Sequence, residues 1–192
     1  MRVTIPYIAV LIGAFSGFVQ AADFCVSTAP GFTTALATAE DDTIRVTTAP
    51  INLIASVNVE DFGALTIRGG YPSGCTGFGS ASAMSEINGQ QSIQFMLRDQ
   101  DLTLSRLRFN GIASTEILDI NFSSNVVSGL ILIQRVSVDG GRTGLRVRSS
   151  HHDVRVENSL FTDSTANSGA KPSLDSVFLK MYTLTIHFKE LL

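Results

Sequence analysis

The sequence Leu104-Ser-Arg-Leu-Arg-Phe-Asn-Gly111 recurs as Ile133-Gln-Arg-Val-Ser-Val-Asp-Gly140 and again as Val156-Glu-Asn-Ser-Leu-Phe-Thr-Asp163. Each copy places apolar residues two or three positions apart, with polar residues between them, and ends on Asn-Gly, Asp-Gly or Thr-Asp. Alternation of this kind predicts a β-strand, and the closing pair predicts a turn. The three segments therefore predict three copies of one structural unit.

The intervals between the copies predict a solenoid. The copies begin about 29 and about 23 residues apart, which is a typical length for a stacked repeat. Each interval holds a second alternating run, at residues 117–122 and 145–148, offset by about 27 residues. A chain that repeats strand and turn in this way can stack each strand on its counterpart about 4.8 Å away. We predict an all-β fold, a parallel β-helix; an antiparallel sheet of short strands is the alternative that periodicity leaves open.

Alternation also predicts which side chains point inward. The residues expected inside the coil are Leu104, Leu107, Phe109, Ile133, Val136 and Val138. The residues expected to face water or the neighbouring turn are Arg106, Arg108, Gln134 and Arg135.

The first residues predict export. Residues 1–21 carry Arg2, a nearly continuous apolar run and the small-residue ending Val19-Gln-Ala21, as a secretory signal does. The apolar run is too short for a membrane span, and no later stretch qualifies. We expect a mature chain that begins near Ala22 and is secreted or lies in the cell envelope.

Composition limits the partners. Without the signal, the chain has about four more acidic than basic residues, which argues against nucleic acid or an anionic membrane surface as partner. About 170 residues remain, enough for one domain with a core. We assign residues 22–170 to this domain.

The two cysteines fit an exported chain. Cys25 and Cys75 predict one disulfide, which would close a loop of about 50 residues and contribute roughly 4 kcal/mol. Two free buried thiols are the alternative. A metal site is disfavoured, because neither cysteine has partners at ligand spacing.

A short helix is predicted before the repeats. Thr28 is a candidate N-cap with Pro30 in the first turn, and the acidic run Glu40-Asp-Asp42 ends the helix. Apolar residues recur between them at helical spacing: Phe32, Ala35, Leu36 and Ala39. We expect this helix to cover the open end of the coil.

Further strands are predicted between the helix and the repeats, at residues 24–26, 43–46, 51–54, 64–67 and 92–97. The segment 71–83 is rich in Gly, Ser and Pro and contains Cys75. It is predicted to be a loop that projects from the coil.

Four motifs in this order carry a family resemblance: FCVSTA (24–29), DDTIRV (41–46), LTIRGGYPSGC (65–75) and LTLSRLRFNG (102–111). The chain resembles secreted bacterial right-handed parallel β-helix repeat proteins of the pectate-lyase-like superfamily. In these proteins a leading strand and helix cap the coil, and a Gly-Gly-Tyr or Gly-Gly-Trp turn precedes a cysteine. The resemblance covers residues 24–163 and implies a right-handed coil. It does not imply one activity, because the fold carries lyases, hydrolases, adhesins and proteins of no known activity.

The last residues depart from this pattern. Further coils are expected after Ser168-Gly-Ala170, but residues 171–192 differ in composition and contain all three lysines of the chain. One hypothesis is a truncated coil followed by a frameshifted or fused tail. The other is a natural C-terminal cap strand over residues 182–188.

The first candidate site is a stripe of arginines. If Leu145 and Val147 face inward, Arg146 and Arg148 share the outer face, and the next coil can place Arg155 near them. Guanidinium groups match carboxylates, so the stripe can hold an anionic sugar; a solvated face is the alternative. Nearby residues of interest are Arg142, His151, His152, Asp139 and Asp153. In pectate lyases an arginine abstracts the proton and an acidic cluster binds calcium, but these two aspartates do not form a cluster in the sequence.

Two other motifs are weaker candidates for a functional site. His151-His-Asp153 is interpreted as a turn, because adjacent side chains of an extended segment point to opposite faces and cannot easily share a metal. Glu40-Asp-Asp42 offers paired carboxylates, as glycoside hydrolysis needs, but lies beside the capping helix. The hydrolase signatures Asn-Thr-Asp and Gly-His-Gly are absent. We therefore predict no catalytic residue, no metal and no cofactor.

The function expected from the sequence is an exported, non-enzymatic β-helix scaffold for surface attachment or for contact with a polysaccharide or cell-surface glycan. A polysaccharide lyase or glycoside hydrolase is the first alternative. A fragment of a larger adhesin or autotransporter passenger is the second.

Overall fold

A computed structural model describes residues 23–39, 41–60, 63–89, 92–96, 101–111, 116–122, 128–140, 143–149 and 152–162. This part of the chain is all-β, with mostly parallel strands and one α-helix. The predicted signal at residues 1–21 and the atypical tail at 171–192 lie outside the described residues.

The described residues form one α-helix and thirteen β-strands. They are β1 (Asp23–Val26), α1 (Ala29–Thr38), β2 (Thr43–Thr47), β3 (Ile51–Leu53), β4 (Val57–Glu60), β5 (Leu65–Tyr71), β6 (Ser85–Gly89), β7 (Ile93–Met96), β8 (Leu102–Gly111), β9 (Glu116–Phe122), β10 (Leu130–Gly140), β11 (Thr143–Ser149), β12 (Asp153–Glu157) and β13 (Leu160–Thr162). A 3-10 turn, Ser73–Cys75, follows β5.

The strands form two sheets in which every assigned pair is parallel. The larger sheet has the order β1-β2-β5-β8-β10-β12, and the second halves of β8 and β10 pair with β6 and β13. The smaller sheet has the order β4-β7-β9-β11. Strands from successive passes of the chain are neighbours in both sheets, an arrangement consistent with a solenoid.

The register confirms the alignment of the repeats. Leu104 pairs with Ile133 in β10, and Val156 of β12 pairs with Ile133 from the other side. One apolar column of the core therefore crosses six strands: Phe24, Ile44, Ile67, Leu104, Ile133 and Val156. Five of its six members are buried, and complete burial of each such side chain contributes about 1.5–3 kcal/mol.

A corner in the larger sheet explains why inward residues lie three positions apart. On a flat strand Leu104 and Leu107 would face opposite sides, because side chains alternate. The backbone of Arg106 between them has a positive φ of 54°, and Arg135 has 52° at the same place in β10. Asn158 has 50° at the corresponding place between β12 and β13. In each of these three passes, one left-handed residue turns the chain, so that the apolar side chains after the corner point inward again.

Helix α1 covers one end of the stacked strands. The Thr28 hydroxyl accepts a hydrogen bond from the Gly31 backbone N–H at 3.3 Å, as an N-cap does. Phe32, Ala35 and Leu36 are buried, and the helix packs against β1 to β4. The predicted helix and its apolar face are confirmed.

Two short strands were not predicted from the sequence. β4 has two inward residues, Val57 and Val59, and β6 has only Ile87 and a buried Ser85. Such short runs have too few apolar residues to show a period. Their pairing partners, β7 for β4 and β3 and β8 for β6, hold them in the sheets.

The predicted pairing of Cys25 with Cys75 is confirmed. The sulfur atoms lie at disulfide bonding distance, with Cα atoms 5.8 Å apart. A disulfide is typical of an oxidising, extracellular setting. Among the described residues, no helix has the length and apolar character that a membrane crossing requires.

The positive φ of Arg135 at the corner predicts that stability depends on which residue replaces it. Arg135→Val should lower the free energy of unfolding by about 1–2 kcal/mol relative to Arg135→Asn, because a β-branched residue is strained at positive φ. Asparagine tolerates this conformation, as Asn158 shows at the equivalent position. Both variants lose the arginine side chain, so their difference in urea denaturation isolates the backbone cost. Equal stability of the two variants would contradict the corner.

Candidate functional site

Two of the predicted arginines meet on a buried carboxylate. Arg146 of β11 lies beside Asp119 of β9, its register partner. The Arg146 Nε donates to Asp119 Oδ1 at 3.1 Å and its Nη2 to Oδ2 at 2.6 Å. Arg148 Nη2 donates to the same Oδ2 at 3.3 Å. Asp119 is only 4% exposed, so this cluster ties β11 to β9 at the edge of the smaller sheet.

Arg155, the third arginine of the predicted stripe, lies in the larger sheet. Arg155 is exposed on β12, where its register partner is Leu132 of β10. Arg146 and Arg148 are two residues apart on β11 and share one face, whereas Arg155 lies in the larger sheet on a different column. Arg142 and His151 lie outside the described residues. Ligand binding by these arginines remains a prediction.

His152 directly precedes β12. The His152 ring is buried and stacks on Phe122 with ring centres 4.6 Å apart. The Ser149 hydroxyl lies 3.1 Å from His152 Nδ1 and accepts a hydrogen bond from the His152 backbone N–H at 3.0 Å. Asp153 is the first residue of β12, and the interpretation of His151-His-Asp153 as a turn stays a prediction. No group of three or more His, Cys, Asp or Glu side chains suited to a metal occurs within the described ranges.

The acidic residues after α1 make backbone contacts. Asp41, at a positive φ of 51°, accepts a hydrogen bond from the Ala64 N–H through Oδ1 at 2.6 Å. Asp42 is buried, and its carbonyl accepts from the Thr66 N–H at 3.0 Å. Glu40 lies outside the described residues. Both aspartates thus connect the end of the helix region to the start of β5.

A polar cleft lies on the outer face of the larger sheet, beside its corner. It has a volume of about 310 Å³. Its lining residues come from β5, β8 and β10: Thr66, Arg68, Thr103, Ser105, Arg106, Gln134 and Arg135. Parallel register brings them together, since Arg68 pairs with Ser105, and Ser105 with Gln134. Each of the three strands contributes one arginine to the cleft.

The loop between β5 and β6, residues 72–84, lies against these arginines; we call it the corner loop. Arg106 Nη1 donates to the Ser80 carbonyl at 3.4 Å, and Arg135 Nη1 to the Ala81 carbonyl at 3.1 Å. The guanidinium carbon of Arg68 lies 4.2 Å from the centre of the Phe78 ring, within cation–π range. The expected projecting loop is thus held at the rim of the cleft.

Both ends of the corner loop are fixed. Gly70, at a positive φ of 84°, donates its N–H to the buried Ser85 hydroxyl at 2.8 Å, and this hydroxyl donates to the Val46 carbonyl at 2.8 Å. A Cβ at Gly69 would overlap the carbonyl oxygen of Arg106, so glycine permits the close approach of β5 to β8. The disulfide from Cys75 to β1 fixes the first part of the loop.

The cleft arginines differ from neighbouring arginines, which form ion pairs with acidic side chains. Arg45 pairs with Asp23 at 2.6 Å and Arg108 with Glu86 at 3.4 Å. In the part of the chain that the structure describes, the three cleft arginines form no ion pair: Arg68, Arg106 and Arg135. The cleft is therefore a concentrated positive patch on a chain whose net charge is −3.

Sequence reasoning did not identify this cleft. It correctly expected Arg106 and Arg135 to face water or the neighbouring turn, but it treated them as surface residues. A signal was present, since both arginines occupy the same place in two copies of the repeat. The contribution of Arg68 depends on β5, which precedes the recognised repeats.

Comparisons with models of protein families, with curated proteins and with solved structures found no match. The parallel sheets remain compatible with a β-helix. The assignment to the pectate-lyase-like superfamily stays a prediction from the sequence motifs.

The buried Asp119 cluster predicts a loss of stability on truncation. Asp119→Ala should lower the free energy of unfolding by about 2–3 kcal/mol, because the charged hydrogen bonds from Arg146 and Arg148 lose their acceptor. Glu86→Ala is the control, since the Arg108–Glu86 pair is largely solvent-exposed and should change stability by less than about 0.5 kcal/mol. Urea denaturation measures both. Equal effects of the two substitutions would contradict a structural role for Asp119.

Proposed function

We propose that the chain is a right-handed parallel β-helix of the pectate-lyase-like type, exported from the cell, that serves as a non-enzymatic scaffold for glycan contact. The strand order supports the solenoid, and parallel crossovers are right-handed in about 98% of cases. The disulfide supports an extracellular location. The motifs around the corner loop support the superfamily.

The observation that carries the proposed contact is an exposed aromatic ring on a rigid support. Phe78 is 57% exposed although it is a large apolar side chain. Its ring is held by Arg68 and by Tyr71, whose ring centre lies 5.1 Å away. A positioned aromatic ring can pack against the apolar C–H face of a sugar at little cost in side-chain entropy. The polar side chains of the adjacent cleft can bond to sugar hydroxyls.

The hydrogen bonds of Arg146 and Arg148 favour a scaffold function rather than a lyase function. In pectate lyases, which the sequence motifs resemble, an arginine abstracts the proton from the substrate. Arg146 and Arg148 both donate to the buried Asp119 carboxylate, which favours a structural role on β11. The polysaccharide lyase alternative is tested by the same assay as the binding proposal.

The mature chain should bind glycans on an array without releasing unsaturated uronates, with or without calcium. Phe78→Ala should weaken binding about tenfold, which corresponds to about 1.4 kcal/mol of contact energy. Ile54→Ala is the matched control, because Ile54 is 94% exposed and lies on a different connection. Its affinity should stay within twofold of the wild type.

Three results would contradict this proposal. Release of unsaturated uronates would show a lyase. Failure of a folded chain to bind any glycan would remove the glycan contact. Equal losses in the two variants would show that Phe78 makes no specific contact.

A further inference from the structure

The disulfide joins the edge of the stack to the corner loop, and its two halves differ in exposure. Cys25 lies on β1 and is exposed, whereas Cys75 is only 5% exposed. The strand order β1-β2-β5 places Cys25 two strands away from the strand that the loop leaves. The bridge therefore draws the start of the loop across β2, where the Cys75 sulfur lies 3.6 Å from the Arg45 carbonyl oxygen. Exposed disulfides are reduced more readily than buried ones, and regulatory disulfides are among them.

The second half of the corner loop is held by hydrogen bonds. The Gly79 N–H donates to the Gly70 carbonyl at 3.1 Å, and the Ala83 N–H donates to the Ser80 carbonyl at 3.0 Å. Two of the cleft arginines also donate to carbonyls in this half of the loop. Residues 79–83 therefore keep their position independently of the disulfide.

The first half of the loop, residues 72–78, is attached differently; we call it the latch segment. Its backbone hydrogen bond, from the Cys75 N–H to the Pro72 carbonyl at 3.0 Å, stays within the segment. A Cβ at Gly74 or Gly77 would meet no atom within 4 Å, so the segment is loosely packed there. Cys75 has a positive φ of 53°, which is unfavourable for a residue with a Cβ. The disulfide thus holds a loosely packed segment in a strained conformation that the reduced segment can leave.

The latch segment ends on Phe78, the exposed ring of the proposed glycan contact. The Phe78 ring packs on Tyr71, with ring centres 5.1 Å apart, and the Arg68 guanidinium carbon lies 4.2 Å from its centre. Tyr71 directly precedes the segment, so the ring pair closes the segment at its two ends while Cys75 holds its middle. A segment released at Cys75 gains the freedom to reorient Phe78.

We propose that the Cys25–Cys75 disulfide is a redox latch that positions Phe78 for binding. The oxidised chain presents the ring in a fixed position, and reduction by a dithiol frees residues 72–78 and lowers the affinity for the glycan. The effect on affinity rests on the proposed function, whereas the release of the segment follows from its attachment alone. The fold stays intact on reduction, because β1 keeps its pairing with β2. Oxidation closes the latch, so the binding surface forms in an oxidising, extracellular setting.

The reductive step is thiol–disulfide exchange. A thiolate of the dithiol attacks the sulfur of the exposed Cys25, the S–S bond breaks, and Cys75 leaves as a thiolate that takes up a proton. The second thiolate of the dithiol then attacks the mixed disulfide, which releases Cys25 as a thiolate that is protonated in turn. The dithiol becomes a cyclic disulfide and has given two electrons to the bridge. Oxidised glutathione reverses the exchange.

Hydrogen–deuterium exchange of the full chain, with and without dithiothreitol, tests the latch. Reduction should raise the exchange rates of the amides of residues 73–78 by about tenfold or more, and those of β8 and β10 should change by less than about twofold. Cys25 and Cys75 are the two cysteines of the chain, so dithiothreitol has no other target. The double variant Cys25→Ser, Cys75→Ser should exchange like the reduced wild type and should not respond to dithiothreitol.

The glycan array of the binding proposal measures the effect on function. Reduction of the wild type should lower its apparent affinity by about threefold or more, and oxidised glutathione should restore it. Phe78→Ala is the matched control, because an effect that acts through the ring disappears when the ring is absent. Reduction should therefore change the remaining binding of Phe78→Ala by less than about twofold. Circular dichroism confirms that the reduced chain and the variants are folded.

Unchanged exchange of residues 73–78 on reduction would overturn the latch. Faster exchange in β8 and β10 as well would show a bridge that holds the whole fold, and it would also overturn the latch, as would a response of the double serine variant to dithiothreitol. An equal loss of binding on reduction in the wild type and Phe78→Ala would overturn the connection to the ring. Absence of glycan binding in both redox states, together with released residues 73–78, would overturn the proposed function and leave the latch standing.

Discussion

Parallel pairing in constant register is the constraint on which the other features depend. Each apolar side chain inside the coil must lie against an apolar side chain of the next strand, and the column through Ile67, Leu104 and Ile133 satisfies this condition. The inward residues are spaced by three at the corner in β8 and β10, and each of these two strands has one residue with positive φ there, Arg106 and Arg135. Helix α1 packs against β1 to β4 and covers one end of the described stack.

The same register organises the outer surface, where chemistry is possible. It places Asn88 against Asn52 and Asn110, with amide hydrogen bonds of 3.2 and 2.9 Å. It places Asp119 against Arg146, which gives a structural cluster. At the corner it collects three arginines, and the loop inserted between β5 and β6 adds Phe78 to them. The register that aligns the core thus also creates rows of identical or complementary polar groups.

The repeats in the sequence predicted the register of the strands, but they did not predict the corner. Equal spacing of Leu104, Leu107 and Phe109 with their counterparts gave the correct pairing of β8 with β10, because one slip would expose every apolar side chain. The positive φ of Arg106 and Arg135 was not predictable, since arginine has no preference for that conformation. Arg155 was expected near Arg146 because alternation along a strand does not reveal that the chain changes sheets between β11 and β12. The cleft escaped prediction because its third arginine precedes the recognised repeats.

The most direct test of this account is a set of nuclear Overhauser contacts between β8 and β10. In parallel strands the residue-number difference between partners is constant, and it is 29 for both Leu104–Ile133 and Phe109–Val138. The account predicts cross-strand contacts at this difference along the whole length of both strands. Contacts whose residue-number difference changes steadily along the strands would show antiparallel pairing and contradict the stacked solenoid.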